Sequence, residues 1–216
     1  MAKIISRAEW GAVAPKGARN KLGSVMGVAV HWEAAAPPKN HDQCAGAVKQ
    51  IQEFHMGPSR KWSDIAYNYL ACDHGFLFEG RGKGIGSAAN GTDFGNQHFY
   101  AVCWLGGPGH EPADAALGAI ADARRMLSPD GQVFPHSHFF ATACPGPKLA
   151  AWVKGGAKDP GNPEVGTGHT WSAKRNDGKA VGPFDRFQEL IDGLGGIADP
   201  EHDMTIVLTK KVVAPK

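Results

Sequence analysis

The stretch PHSHFFATACPG, residues 135 to 146, holds two histidines two residues apart and a cysteine just before a Pro-Gly turn. Imidazole nitrogen and thiolate sulfur are ligands that zinc accepts in a tetrahedral shell. A third candidate, His31, ends the strand-like run VMGVAVH, residues 25 to 31. Three protein ligands leave one position for water, which is the catalytic arrangement, whereas four close the shell. The residues by themselves leave alternatives open. A histidine at a strand end is commonly structural or solvent-facing. A cysteine six or eight residues after HSH matches no standard structural zinc spacing. Either His136 or His138 could partner Cys144, and Cys144 could equally be a buried thiol or half of a disulfide.

Such residues work only if the chain carries them to one place. Residues 25 to 31 read as a buried strand, rich in small and β-branched apolar side chains. The segment HDQCAGAVKQIQEFHM, residues 41 to 56, sets Cys44, Val48, Ile51 and His55 at helical spacing. GPSRKW is a turn. IAYNYLAC and GFLFEGR are two strands joined at Asp73-His74-Gly75, a hairpin signal. FYAVCWLGG is a further central strand. Residues 111 to 127 form a helix, with Pro112 in its first turn, acids early and Arg124 and Arg125 late. Gly146 to Val153 makes a short closing helix. Strands and helices thus alternate over residues 4 to 153, which predicts an α/β fold: a single mixed central β-sheet flanked by helices.

After Trp152 the composition turns Gly- and Pro-rich. The expected division is therefore an α/β domain over 1–154 and a Gly/Pro-rich linker with a small C-terminal extension over 155–216. Within that extension, PFDRFQELIDGL suits one short helix and MTIVLTKKVV one strand.

Composition narrows the function classes. The chain has 216 residues, 42% apolar and 20% charged, as expected of a soluble globular protein with an adequate core. A formal net charge of +2 is too weak to argue for nucleic acid, so no such partner is expected, and a mildly basic surface suits a polyanionic polymer. No apolar run approaches the ~20 residues of a membrane span, so no membrane insertion is expected. The opening MAKIISRAEWG has no apolar core of a signal peptide. Cys72 and Cys103 lie in strand-like apolar runs and Cys44 in a helical stretch, and all three are expected to be small buried hydrophobes. A monomer is expected.

Compared as a whole, HSHFFATACPG resembles the HRDVxxTxCPG signature of the zinc-dependent N-acetylmuramoyl-L-alanine amidases. That family includes phage lysozyme-like amidases and the peptidoglycan recognition proteins. Further segments agree in order: SRAEWGA with the opening motif, VAVHWEAA with the VxxHHTA strand, and IQEFHM with KWSDIAYNYL for the helix and WxDIGYNF segment. GFLFEGRG is similar to the DGxIYEGRG hairpin, and AVCWLGG to the strand after the GAHA loop.

The resemblance implies zinc held by His31, His136 and Cys144, because the family's histidine lies eight residues before the cysteine. His138 then takes the place of the family's aspartate. The implied substrate is bacterial cell-wall peptidoglycan, cut by a zinc-activated water at the amide between N-acetylmuramic acid and L-alanine. Such a metal polarises the carbonyl and brings the pKa of bound water toward ~7. Tyr67 falls on the tyrosine implicated in catalysis. Thr142 stands where some phage relatives carry a catalytic lysine, with Lys148 a remote substitute. Glu33, two residues after His31 on the same strand face, is the candidate general base. Asn96, Trp32 and Trp62 are the candidate substrate contacts, and Glu79 is expected to pair with Arg81 or nearby backbone. GSAA, residues 86 to 89, replaces GAHA, so that histidine is absent. The expected setting is a phage endolysin or virion-associated lysin, made in the host cytoplasm and released through a holin. The competing expectation is a recognition module that binds peptidoglycan without cutting it.

Overall fold

The computed structural model describes residues 1–161 and the strand backbones 169–174, 180–184 and 207–212. The chain divides into two units, Met1–Gly166 and Thr167–Lys216.

The first unit is built on a six-stranded sheet in the order β1-β4-β3-β5-β2-β6. The strands are β1 (Lys3–Ile5), β2 (Gly27–Trp32), β3 (Tyr69–Ala71), β4 (Phe76–Glu79), β5 (Phe99–Trp104) and β6 (Gln132–Pro135). β2 runs parallel to both β5 and β6, while β3 and β4 form the antiparallel hairpin expected at Asp73-His74-Gly75. The sheet is therefore mixed. β2 and β5 are buried along nearly their whole length, which is why their sequences are continuous apolar runs rather than alternating ones.

Helices cover both faces. α1 (His41–Met56) starts at Asn40, whose side chain accepts the Gln43 N–H, and buries Cys44, Val48, Ile51 and His55, the predicted stripe. That stripe packs with Ile65, Leu70, Phe78, Cys103 and Leu105 on one side of the sheet. α3 (Asp114–Leu127) and α4 (Pro147–Lys154) cover the other side over Val28, Val30, Tyr100, Val102 and Trp104. Cys44, Cys72 and Cys103 are buried and unlinked.

Two local readings change. Pro112 precedes the α3 cap rather than entering the first turn, because the Asp73 carboxylate takes the Ala113 N–H at 3.1 Å and keeps that residue extended. The six-residue α2 (Asp93–His98) carries too little apolar pattern to read, yet Thr92 caps it through Gly95 N–H. Of the two partners expected for Glu79, Arg81 or nearby backbone, the backbone is the one found. The Glu79 carboxylate accepts the Arg7 N–H at 3.4 Å, and Arg81 instead donates to the carbonyls of Ile65 and Gly86.

The second unit contains an antiparallel sheet in the order β8-β7-β9, from β7 (His169–Lys174), β8 (Ala180–Phe184) and β9 (Val207–Val212). β9 falls within the strand expected in MTIVLTKKVV. The helix expected in PFDRFQELIDGL lies outside the described residues except for Pro183 and Phe184, which belong to β8. Among the described residues no helix is long and apolar enough to cross a membrane.

Candidate metal centre

The register of two neighbouring parallel strands builds the site. Val30 of β2 pairs with Pro135 of β6, so the next residues, His31 and His136, leave the two strand ends side by side. Their ring centroids are 4.3 Å apart. His136 opens a 3-10 turn that runs to His138, and the chain then returns with Cys144. The Cys144 sulfur accepts the Trp32 N–H at 3.3 Å, and its carbonyl accepts the Ser137 N–H at 3.1 Å. Thr142 Oγ1 accepts the Cys144 N–H at 3.2 Å. These bonds fasten the loop to both strand ends.

One ligand atom each from His31, His136 and Cys144 lies within 4.8 Å of the others. Cys144 Sγ and His31 Nδ1 are 3.8 Å apart. A tetrahedral zinc with ordinary Zn–S and Zn–N bonds requires about 3.6 Å between those atoms. The tautomer of His31 follows from its neighbours. Asn90 donates its amide hydrogens to the carbonyls of Gly95 and Phe99, at 2.7 and 2.8 Å. Its carbonyl oxygen therefore accepts from His31 Nε2 at 2.8 Å, which leaves the Nδ1 lone pair facing Cys144.

Electrostatics favour neutral imidazoles. Burial first, then the neighbouring His136, brings His31 down to about 3, against a smaller opposing effect of the Asn90 bond. Burial likewise lowers His136. Burial pushes the Cys144 thiol up to about 12, with the Trp32 N–H pulling the other way. A cation at this point supplies what the thiol needs to lose its proton. Both ring nitrogens of His136 are buried and have no hydrogen-bond partner, an arrangement that costs roughly 1–3 kcal/mol unless something accepts a lone pair. The donor set, its spacing and this orphaned ring all fit zinc.

Tyr67 stands beside the cluster, its ring centroid 5.5 Å from that of His31. The segment carrying it is held at every residue. The Ile65 N–H bonds the Asp64 carboxylate, the Ala66 N–H bonds His55 Nδ1, and the Tyr67 carbonyl accepts the Arg81 N–H. Burial, then the Cys103 and Cys144 sulfurs, raises the Tyr67 phenol well above its ordinary range, so it is a hydrogen-bond donor at neutral pH. Glu33 follows β2 and acts electrostatically on Tyr67 and Cys103, and burial raises its own carboxyl. Trp62 packs on His55 at 4.8 Å, and His55 packs on Tyr67 at 5.7 Å, forming one wall.

Other sequence candidates lie elsewhere. Trp32 alternates with His31 and joins Trp104 on the opposite face, where both edge a cleft with His110, Glu111 and Lys148. Lys148 pairs there with Glu111 and is remote from Tyr67's side of the sheet. Asn96 turns its carbonyl inward to the Ser87 hydroxyl and the Asn90 N–H, at 3.0 and 2.9 Å, so it shapes the loop that positions Asn90. His138 is exposed and stacks on Phe134 at 3.9 Å.

Two site residues escape a reading of the sequence. Asn90 acts across 59 positions and belongs to no motif. Phe140 stacks beside His136, 6.3 Å between rings, while remaining 54% exposed. A large aromatic held in the open next to a polar cluster was its only signal.

No family model matches this chain. Curated relatives do. A mouse N-acetylmuramoyl-L-alanine amidase is 31% identical over 158 residues, covering 68% of this chain and 29% of that protein. Peptidoglycan recognition protein 1 of Bos taurus is 30% identical over 68% of this chain and 80% of its own length. A peptidoglycan-recognition protein of Drosophila melanogaster is 32% identical, covering 71% of this chain and 87% of that one. Among solved structures, Drosophila PGRP-LB shares the fold with a TM-score of 0.65 at 24% identity, over 71% of this chain and 94% of that one. Peptidoglycan recognition protein-LE, solved in complex with tracheal cytotoxin, gives 0.64 at 27% identity over 70% and 92%. The fold and the strand-end cluster define an α/β protein of the amidase and peptidoglycan-recognition class. The chain belongs to the peptidoglycan recognition protein and N-acetylmuramoyl-L-alanine amidase family.

Proposed function

We propose that this protein is a zinc-dependent N-acetylmuramoyl-L-alanine amidase that cleaves the muramoyl–L-alanine amide of bacterial peptidoglycan. The observation that carries the reading is the convergence of His31, His136 and Cys144 within 4.8 Å beside Tyr67, with both His136 nitrogens unpartnered. Relatives include proteins named as amidases and proteins named for recognition at similar identity, so the name of a relative does not choose between the two. The ligand set favours the enzyme, because three protein ligands leave an open position.

Zinc held there supplies Lewis acidity and a hydroxide nucleophile near neutral pH. The chain's own residues do the rest. His31 presents Nδ1 because Asn90 fixes its tautomer. Tyr67 keeps its proton and donates to the oxygen on which charge develops when the amide carbonyl is attacked. Glu33, whose carboxyl is raised by burial, accepts a proton from the attacking water and returns it to the leaving L-alanine nitrogen. Trp62 and Phe140 offer apolar faces to the glycopeptide. Thr142 is a positioning residue through its bond to the Cys144 amide.

The test measures zinc content together with new free L-alanine amino termini released from purified walls, for wild type and Cys144→Ser. Amine release and bound zinc, both lost in the variant, support the amidase. Wall binding without amine release replaces it with a recognition module. The same reading includes a lysin that reaches the wall through a holin-type pore. Lysis of a host expressing the chain only when a holin is co-expressed supports that setting, and lysis without one removes it.

A further inference from the structure

A second cluster of histidine and cysteine lies at the other end of α1. The sequence around it reads His41-x-x-Cys44 at the first turn of the helix and Cys72-x-His74 at the β3–β4 turn. Ligand atoms of His41, Cys44 and Cys72 lie within 4.8 Å of one another. Cys44 Sγ is also 3.6 Å from His74 Nδ1. Both cysteines are fully buried. His41 Nδ1 is buried and has no hydrogen-bond partner, while its ring is fixed by stacking on Phe76 at 3.7 Å. A buried imidazole nitrogen facing two thiols is poorly explained by packing alone, since an orphaned polar atom is costly and a phenyl or leucine would fill the space without that cost.

We propose that His41, Cys44, Cys72 and His74 form a second zinc site, structural rather than catalytic. Two sulfur and two nitrogen ligands are the set of a closed tetrahedral zinc shell, and sulfur-nitrogen tetrahedra of this kind select zinc. Two thiolates cancel the ion's charge, so no net charge is buried. Asp73, between Cys72 and His74, is already engaged by Trp104 Nε1 at 2.8 Å and by Ala113 N–H, so it does not compete for the position. Nor does a disulfide account for the cluster, because a Cys44–Cys72 bridge would leave both histidines without a role. The site clamps the N-terminal turn of α1 to the hairpin, and α1 carries His55, the residue against which Tyr67 packs. It shares no residue with the His31 centre.

Metal analysis of the full chain, purified in zinc without chelator, tests this with a readout independent of activity. The expected result is two zinc ions per chain in wild type, one in Cys144→Ser, and one in a Cys44→Ser/Cys72→Ser double variant. His74→Ala, which leaves both buried cysteines in place, is expected to release one of the two ions to a chelator about 10-fold faster or more. That variant and the wild-type stoichiometry keep the test valid should the double variant not fold. One zinc in wild type that vanishes in Cys144→Ser overturns the second site. So does an intact mass lower by two hydrogens with Cys44 and Cys72 unreactive to thiol reagents, which marks a disulfide. One zinc that persists in Cys144→Ser and vanishes in the double variant supports the second site while removing the zinc centre of the proposed amidase.

Discussion

The two ends of α1 face two histidine–cysteine clusters that share chemistry and differ in construction. At the His31 cluster, the candidate ligands come from strand ends and a returning loop, and the surroundings are large aromatic side chains: Tyr67, Trp62 and the half-exposed Phe140. At the His41 cluster, ligands come from a helix turn and a hairpin turn, and the cap is the ring of Phe76. The first has three candidate ligands, with Phe140 exposed beside them. The second has four candidates and two fully buried sulfurs. Ligand number and access, rather than ligand type, separate a place where a reaction occurs from a place where two elements are held together.

The largest expected effect lies at the open cluster. Cys144→Ser should lower amidase turnover by about 10³-fold or more, because several kcal/mol of charge stabilisation disappears with the metal. Its melting temperature should change far less than its activity. The reverse pattern is expected at the closed cluster. Cys44→Ser/Cys72→Ser should cost about 3 kcal/mol of stability by denaturant titration, while turnover per folded molecule stays near wild type. If both variants lose activity and stability together, the contrast between the clusters fails.

Asn90→Ala sharpens the contrast from within. Removing the acceptor that fixes the His31 tautomer should weaken zinc affinity or turnover by about 10–100-fold, measured by competition with a chelator. A fourth effect concerns the wall of the open cluster. Burial, then Arg60, lowers His55 to about 4 from the 6.5 of an exposed histidine. The unfolded chain therefore binds more protons between those values, and stability falls as pH drops below about 6.5 toward 4. Acidifying from pH 7 to 5.5 should cost about 1 kcal/mol through this residue, and His55→Gln should flatten that slope. The smallest effect is at Thr142. Thr142→Val removes one hydrogen bond to the Cys144 amide, about 1 kcal/mol, and should lower turnover less than 10-fold.

The parts that were legible in the sequence were those with a period or a motif. The Cys44–Val48–Ile51–His55 stripe, the apolar runs of β2 and β5, and the Asp73-His74-Gly75 hairpin all follow from local pattern and reappear in place. Family spacing points to His136 over His138, and strand register places His136 beside His31. What was not legible depends on contacts between distant segments. Asn90 has meaning only beside His31. Asn96 sits in a motif position but turns inward to build the loop. Trp32 shows the opposite failure, since alternation along β2 already placed it on the face away from His31. Cys44 reads as filling from its place in a helical stripe and Cys72 from its apolar strand, and only the fold brings His41 and His74 to them.

His31 and His136 hang from the carboxyl ends of adjacent parallel strands, so their separation is set by the backbone ladder rather than by the loops that follow. The connections after it, residues 34–40 and 105–113, are covalently downstream of that frame. Those connections can be exchanged between relatives as grafts while the two imidazoles stay in register. What the surrounding loops contact can therefore drift, or be engineered, without rebuilding the His31–His136 pair.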